Sequence, residues 1–215
     1  MNILTIPIFL FLIAFCFLLS IFLQDKSRIG RFLPAFFFML FIIELICYYL
    51  KIVHVNNLII YNFWFPLEFL FYTFWISNYL QSKIVKKVFN ILMGVYVAVV
   101  IIIYSISANL FKFNTIAFQL GFILLLPVAL LKLYELINQP IISNPLYTPL
   151  FWLITGILVS YVFSLAQFSA LNYLHINNKF LSEALKKINF ILADILYSCI
   201  IIYFILKWKQ KKLHT

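Results

Sequence analysis

Seven long apolar segments, separated by short polar stretches, dominate the sequence. Each holds about 20 residues, the length that an α-helix needs to cross a hydrocarbon layer of ~30 Å. The pattern therefore predicts an all-α, polytopic membrane protein, a seven-transmembrane-helix bundle in a single domain over residues 1–215. The predicted helices cover residues 3–23, 33–52, 59–80, 88–107, 115–137, 148–170 and 185–206.

The connections between these segments are short and rich in Asn, Gln, Ser and Lys, with Pro140 in one of them. None, including the connection predicted over 172–179, is long enough to form a soluble domain. We therefore expect function to lie in the helices, their short loops or the basic C-terminal tail.

Composition excludes an ordinary soluble protein. Hydrophobic residues make up 66% of the chain and charged residues only 10%, against about 25% charged residues in soluble domains. The abundance of Phe, Ile, Leu, Tyr, Asn and Lys is common in AT-rich bacterial genomes, which suggests a bacterial, multi-pass protein of the inner (plasma) membrane. Membrane lipids are its expected surroundings.

The distribution of Lys and Arg predicts the orientation. With the N-terminus outside and the C-terminus cytoplasmic, eleven of the sixteen basic residues fall on the cytoplasmic side, as the positive-inside rule requires. The cytoplasmic set is Lys26, Arg28, Arg31, Lys83, Lys86, Lys87, Lys132, Lys207, Lys209, Lys211 and Lys212, and the outer set is Lys51, Lys112, Lys179, Lys186 and Lys187. The net charge of +10 thus reflects topology, and we expect no nucleic acid partner. The tail at 207–212 is interpreted as an interfacial anchor.

Three acidic residues lie in the middle of predicted helices: Glu44, Glu68 and Asp194. A charge at the centre of a membrane helix costs about 3 kcal/mol on insertion scales, so each acid needs a partner, a proton or a function. A rise of ~1.5 Å per residue puts them roughly 12, 14 and 14 Å from the outer helix ends. We predict that they converge in one polar cavity, with packing by interhelical hydrogen bonds as the alternative. Glu135, near the inner end of the fifth helix, is instead expected to pair with Lys132 at i,i+3.

Other polar residues lie at helical spacing near these acids. Tyr72 shares a helix face with Glu68, and Pro66 is expected to free a backbone carbonyl in the same helix. In the sixth helix Gly156 begins a stripe of small and polar residues that favours close packing. The predicted ligand-binding or proton site comprises Glu44, Glu68, Asp194, Tyr72, Ser160, Ser164, Gln167, Asn189 and Tyr197.

Catalytic and metal-binding motifs do not point to a particular chemistry. The three cysteines lie singly in apolar runs, and His54 and His175 lie in predicted outer loops, where a solvated role is expected. No nucleophile elbow, phosphate-binding loop or paired metal-ligand motif is found. No metal site is predicted, and the sequence leaves the cofactor unknown. The middle of the seventh helix carries Asp194 and not the lysine that retinal proteins use, which excludes a retinal linkage there.

Three functions remain open. The favoured one is a non-enzymatic, sensor-like or accessory module that binds a small or lipidic ligand and signals to a partner at the cytoplasmic face or in the membrane. The second is an intramembrane enzyme that modifies lipid with two carboxylates. The third is a proton- or ion-coupled transporter or a channel subunit that uses the same acids as relay sites. Assembly into a homo-oligomer is also left open.

Overall fold

A computed structural model describes residues 5–23, 28–106, 112–138, 144–177 and 179–213. Within these ranges the chain is all-helical, as predicted, with seven α-helices and one short 3₁₀ turn, Pro145–Tyr147. The helices are α1 (Thr5–Phe22), α2 (Arg28–Ile52), α3 (Leu58–Ser77), α4 (Lys83–Ile106), α5 (Thr115–Ile137), α6 (Pro149–Asn177) and α7 (Lys179–Leu213).

Five of the described helices, α2, α4, α5, α6 and α7, are long and apolar enough to cross a membrane. Helix α1 contains a shorter apolar stretch, Leu10–Phe22. The α3 helix, which contains Asn62, Glu68 and Thr73, is not among these five. Half of its twenty residues are buried, so α3 does not need the uniformly apolar surface of a lipid-exposed helix.

The predicted connection between the last two helices is wrong. The structure continues α6 to Asn177 and begins α7 at Lys179, where a loop was predicted over 172–179. Hydropathy identifies only the apolar part of a helix. The backbone hydrogen bonds of the helix can continue beyond that part, through polar residues that also form helices. Similarly, α4 begins at Lys83, five residues before the predicted start at 88. His175 lies in this extension of α6, and its side chain is outside the described set.

The helices group into two compact units. The first comprises α1, the larger part of α2, α6 and α7, and the second comprises the end of α2 from Cys47 together with α3, α4 and α5. The single domain expected from the sequence stays a prediction.

In the first unit, aromatic contacts connect α2 to its neighbours. The rings of Phe17 in α1 and Phe38 in α2 lie 5.5 Å apart, and those of Phe37 in α2 and Phe204 in α7 lie 6.0 Å apart. At the end where α6 begins, Gln210 donates to the Tyr147 carbonyl at 3.5 Å. The beginning of α6 and the end of α7 therefore lie together, as an antiparallel pair requires.

In the second unit, α3 packs against α5 through a small residue. A Cβ atom placed on Gly121 of α5 would lie 2.4 Å from Cδ2 of Phe69, which is fully buried in α3. Only hydrogen fits at that position. The Phe69 ring also contacts Phe118 of α5 edge-on at 5.1 Å. By contrast, α4 buries only Phe89, Tyr96 and Val100, so most of its apolar surface faces outward.

Candidate functional site

The polar stripe of α6 packs directly on α7. Ser160 donates to the Leu192 carbonyl at 2.7 Å, and Ser164 donates to Oδ1 of Asn189 at 3.4 Å. Further along the same line, a Cβ on Gly156 would lie 2.6 Å from Cβ of Cys199. We call this α6–α7 contact the small-residue seam. The spacing predicted this close packing, and three of the predicted site residues meet in it.

Gln167 extends the seam by almost one helical turn beyond Ser164. It is 4% exposed, yet its Oε1 has no hydrogen-bond partner among the residues that the structure describes. A buried amide oxygen without a partner costs about 1–3 kcal/mol. Within the described side chains no donor occupies this oxygen, which makes it a candidate acceptor for a bound group.

Asp194 lies on a different side of α7. The α7 positions in the seam include Leu192 and Cys199, and Asp194 is two residues past Leu192, about 200° around the helix. Its Oδ1 is buried and, within the described part of the chain, has no hydrogen-bond partner. The structure therefore does not bring Asp194 to Ser160 and Ser164, which the sequence analysis placed in one predicted site.

Tyr197 lies one turn beyond Asp194 and is 3% exposed. Its backbone carbonyl accepts a hydrogen bond from Sγ of Cys16 in α1, at 3.7 Å. This side of α7 thus faces α1, and Cys16 and Cys199 are small buried residues, as predicted. Glu44 is half-buried in α2 and belongs to the same unit as Asp194.

Glu68 and Tyr72 belong to the second unit. With Trp64 and Trp75 they form a stripe along α3, and none of the four is more than 4% exposed. The centre of the stripe lies about 100° around α3 from Phe69, which packs against α5. The Tyr72 and Trp75 rings are stacked at 6.3 Å. Their shared face agrees with the sequence pattern, whereas convergence of all three acids on one cavity remains a prediction.

A buried asparagine that the sequence analysis did not single out connects separate segments of the second unit. Asn62 is 2% exposed in α3. Its Nδ2 donates to the Lys112 carbonyl at 2.7 Å, and its Oδ1 accepts from the Asn114 backbone N–H at 2.8 Å. One side chain thus fixes the segment that leads into α5. The only sequence signal was an amide inside an apolar run.

In a regular helix the N–H of residue 66 would donate to the Asn62 carbonyl, four residues earlier. Because Pro66 has no N–H, this carbonyl lacks its helical donor. The Tyr104 hydroxyl of α4 donates to this carbonyl instead. Sequence analysis predicted a freed carbonyl near Pro66, and the structure identifies its replacement donor. This interaction joins α3 to α4.

At the opposite end of the same unit, the predicted pair of Lys132 and Glu135 is confirmed at 2.9 Å, with the Lys132 side chain 4% exposed. Glu135 has a second role, because its two carboxylate oxygens accept from the Gln81 backbone N–H at 3.1 and 3.3 Å. The carboxylate therefore holds the turn between α3 and α4 against the end of α5. This pair has a structural explanation and is not a ligand-site candidate.

His54 also has a structural explanation. It is exposed and adopts a left-handed backbone conformation with φ of 57°. The following Val55 N–H donates to the Leu50 carbonyl at 2.8 Å, which closes the end of α2 as in a Schellman motif. Among the described residues, no group of three or more His, Cys, Asp or Glu side chains has the arrangement needed to hold a metal ion.

The C-terminal lysines pack on aromatic rings. The Lys212 ammonium lies 4.1 Å from the ring centroid of Trp208, and Lys207 donates to the Tyr203 hydroxyl at 3.3 Å. Aromatic and basic residues are enriched together at the ends of membrane helices. This geometry agrees with an interfacial anchor at the end of α7.

The apolar helices and their packing indicate a multi-pass helical membrane protein. No family model matches the chain, and neither curated proteins nor solved structures show a significant similarity to it.

Proposed function

We propose that this chain is a non-enzymatic module of the plasma membrane that binds a small or lipidic ligand through the acceptor groups inside its helices. The observation that carries the proposal is the burial of an Asp194 carboxyl oxygen without a described hydrogen-bond partner. This atom, Oδ1, is buried in the apolar part of α7 and lacks a partner among the described residues. Because a membrane-embedded carboxyl group is costly, one without a structural partner is a functional candidate by default.

The chemistry of the available atoms defines the ligand class. Asp194 Oδ1 is an acceptor, and no described side chain donates to it. The complementary ligand carries hydrogen-bond donors, such as an ammonium or hydroxyl group, together with an apolar part that suits the surrounding helices. Glu68, 4% exposed in α3 of the second unit, is a separate acidic candidate.

The proposed output is a contact at the cytoplasmic face. Lys83 and Lys87 at the start of α4, and Lys209 and Lys211 near the end of α7, are exposed. In the orientation predicted from the basic residues, these side chains face the cytoplasm. A protein partner with an acidic surface fits this charge, and a second copy of the chain is the alternative partner.

The experiment compares the wild type with Asp194→Asn, which keeps the side-chain volume and removes the ionisable group. Both proteins are purified in nanodiscs made with total polar lipid from the expression host, and native mass spectrometry identifies what each retains. We expect Asp194→Asn to lose at least 90% of a specifically retained amine- or hydroxyl-bearing molecule. Glu135→Gln is the control, because Glu135 already has partners in Lys132 and Gln81.

Equal retention by folded wild type and Asp194→Asn would overturn the proposal. Proton transport is the second candidate, since an acid without a structural partner within an apolar helix also suits a relay. Proteoliposomes with an internal pH dye and an imposed proton gradient separate the two functions. A proton flux that Asp194→Asn abolishes favours transport, whereas ligand retention without flux supports the sensor-like module. Conversion of the added lipids would favour the enzyme alternative.

A further inference from the structure

An open groove of 220 Å³ lies between α3 and α4 in the second unit. We propose that this groove holds one acyl chain of a phospholipid whose headgroup phosphate is bound by Lys112. The site is separate from Asp194 and does not depend on the function proposed above.

The lining of the groove selects an apolar occupant. Phe63, Leu67, Val97 and Ile101 line it and are each at least 40% exposed. On apolar membrane-facing helices, such side chains meet hydrocarbon and not water. An acyl chain is the occupant that a bilayer supplies.

The polar atoms in the lining are already used. The Tyr96 hydroxyl donates to the Ala117 carbonyl at 3.1 Å, and the Tyr104 hydroxyl donates to the Asn62 carbonyl. Both hydroxyl protons are thus already engaged in hydrogen bonds within the protein. A polar small molecule would therefore find few complementary groups here, whereas a hydrocarbon chain needs none.

The headgroup assignment follows from the hydrogen bonds at one end of the groove. Asn62 directly precedes the groove residue Phe63, and its backbone carbonyl accepts a hydrogen bond from the groove residue Tyr104. The Asn62 side chain donates to the Lys112 carbonyl at 2.7 Å. These contacts hold Lys112 at that end, with its side chain exposed. No carboxylate among the described side chains forms an ion pair with Lys112. Apolar surface and a neighbouring cation together match the two parts of an anionic phospholipid.

The test measures retained lipid by native mass spectrometry after release from nanodiscs that contain equal phosphatidylglycerol and phosphatidylcholine. Val97→Trp places a large ring in the groove, and Val95→Trp, on the same helix but outside the lining, is the matched control. We expect Val97→Trp to reduce retained phosphatidylglycerol about tenfold and Val95→Trp to leave it unchanged. Thermal unfolding of both variants checks that they remain folded.

Lys112→Gln tests the headgroup contact, with Lys51→Gln as the control at another exposed lysine. We expect about a fivefold loss of the preference for phosphatidylglycerol over phosphatidylcholine in Lys112→Gln alone, the effect of one lysine near a membrane surface. Glycerol 3-phosphate is added as a soluble headgroup, and we expect it not to displace the lipid. Equal effects of the two tryptophan variants, an unchanged lipid preference in Lys112→Gln, or displacement by glycerol 3-phosphate would each overturn the proposal.

Discussion

Replacing Tyr104 by Phe removes one hydroxyl from α4 and leaves the Asn62 carbonyl without the donor that substitutes for the missing N–H of Pro66. Hydrogen bonds between membrane helices contribute about 0.6 kcal/mol on average and up to about 1.7 kcal/mol. A carbonyl left unsatisfied costs about 1–3 kcal/mol. Since no helical donor replaces the hydroxyl, we expect Tyr104→Phe to lower the free energy of unfolding by about 1–2 kcal/mol.

Tyr96→Phe is the matched control on the same helix. The Tyr96 hydroxyl donates to the Ala117 carbonyl at 3.1 Å. Ala117 lies in the unbroken first turns of α5, where its carbonyl also has a helical donor. Removing the Tyr96 hydroxyl therefore leaves no carbonyl unsatisfied, and we expect a loss of at most about 0.6 kcal/mol.

A double-mutant cycle with Pro66→Ala isolates the cause. Alanine at position 66 restores a backbone N–H that can donate to the Asn62 carbonyl, so Tyr104→Phe should cost little in this background. We expect a coupling energy of about 1 kcal/mol, within the range seen for contacting residues. Equilibrium unfolding in bicelles gives the four free energies. If Tyr104→Phe lowers the free energy of unfolding equally in both backgrounds, the reasoning is refuted. It is also refuted if Tyr96→Phe lowers the free energy of unfolding of the wild type as much as Tyr104→Phe does.

Substitutions at three glycines test the helix contacts by the same unfolding measurement. Gly121→Ala should destabilise by about 1–3 kcal/mol because its Cβ would clash with α3. Gly94→Ala should be neutral or stabilising, because apart from its own helix backbone and chain neighbours nothing lies within 4 Å of the added Cβ. Gly156→Ala should destabilise the small-residue seam, and Cys199→Gly should recover part of that loss by removing the Cβ that lies 2.6 Å away. Equal effects of the first two substitutions, or no recovery in the last pair, would contradict the packing.

The sequence was most informative where hydropathy and helix ends coincide. The fifth predicted helix, 115–137, has the bounds of α5 because polar residues flank it on both sides. The ends of α6 and α7 were missed, since these helices continue beyond their apolar parts. Hydropathy measures the preference of side chains for lipid, and a helix can persist without that preference.

The polar positions were predictable as stripes but not as contacts. Spacing along α6 correctly grouped Ser160 and Ser164, because residues four apart share one helix face. The rotation of α7, which turns Asp194 away from them, depends on how whole helices pack. The role of Asn62 could not be predicted either, because its partners are backbone groups 50 and 52 residues further along the chain.

The two tyrosine hydroxyls of α4 limit how that helix can move. Tyr96 and Tyr104 are eight residues apart, or about 12 Å along the axis, and they attach α4 to α5 and α3 respectively. A helix held at two separate heights cannot roll about its own axis without breaking both attachments. The same set of α4 side chains therefore stays turned toward the bilayer, even though only three of its residues are buried.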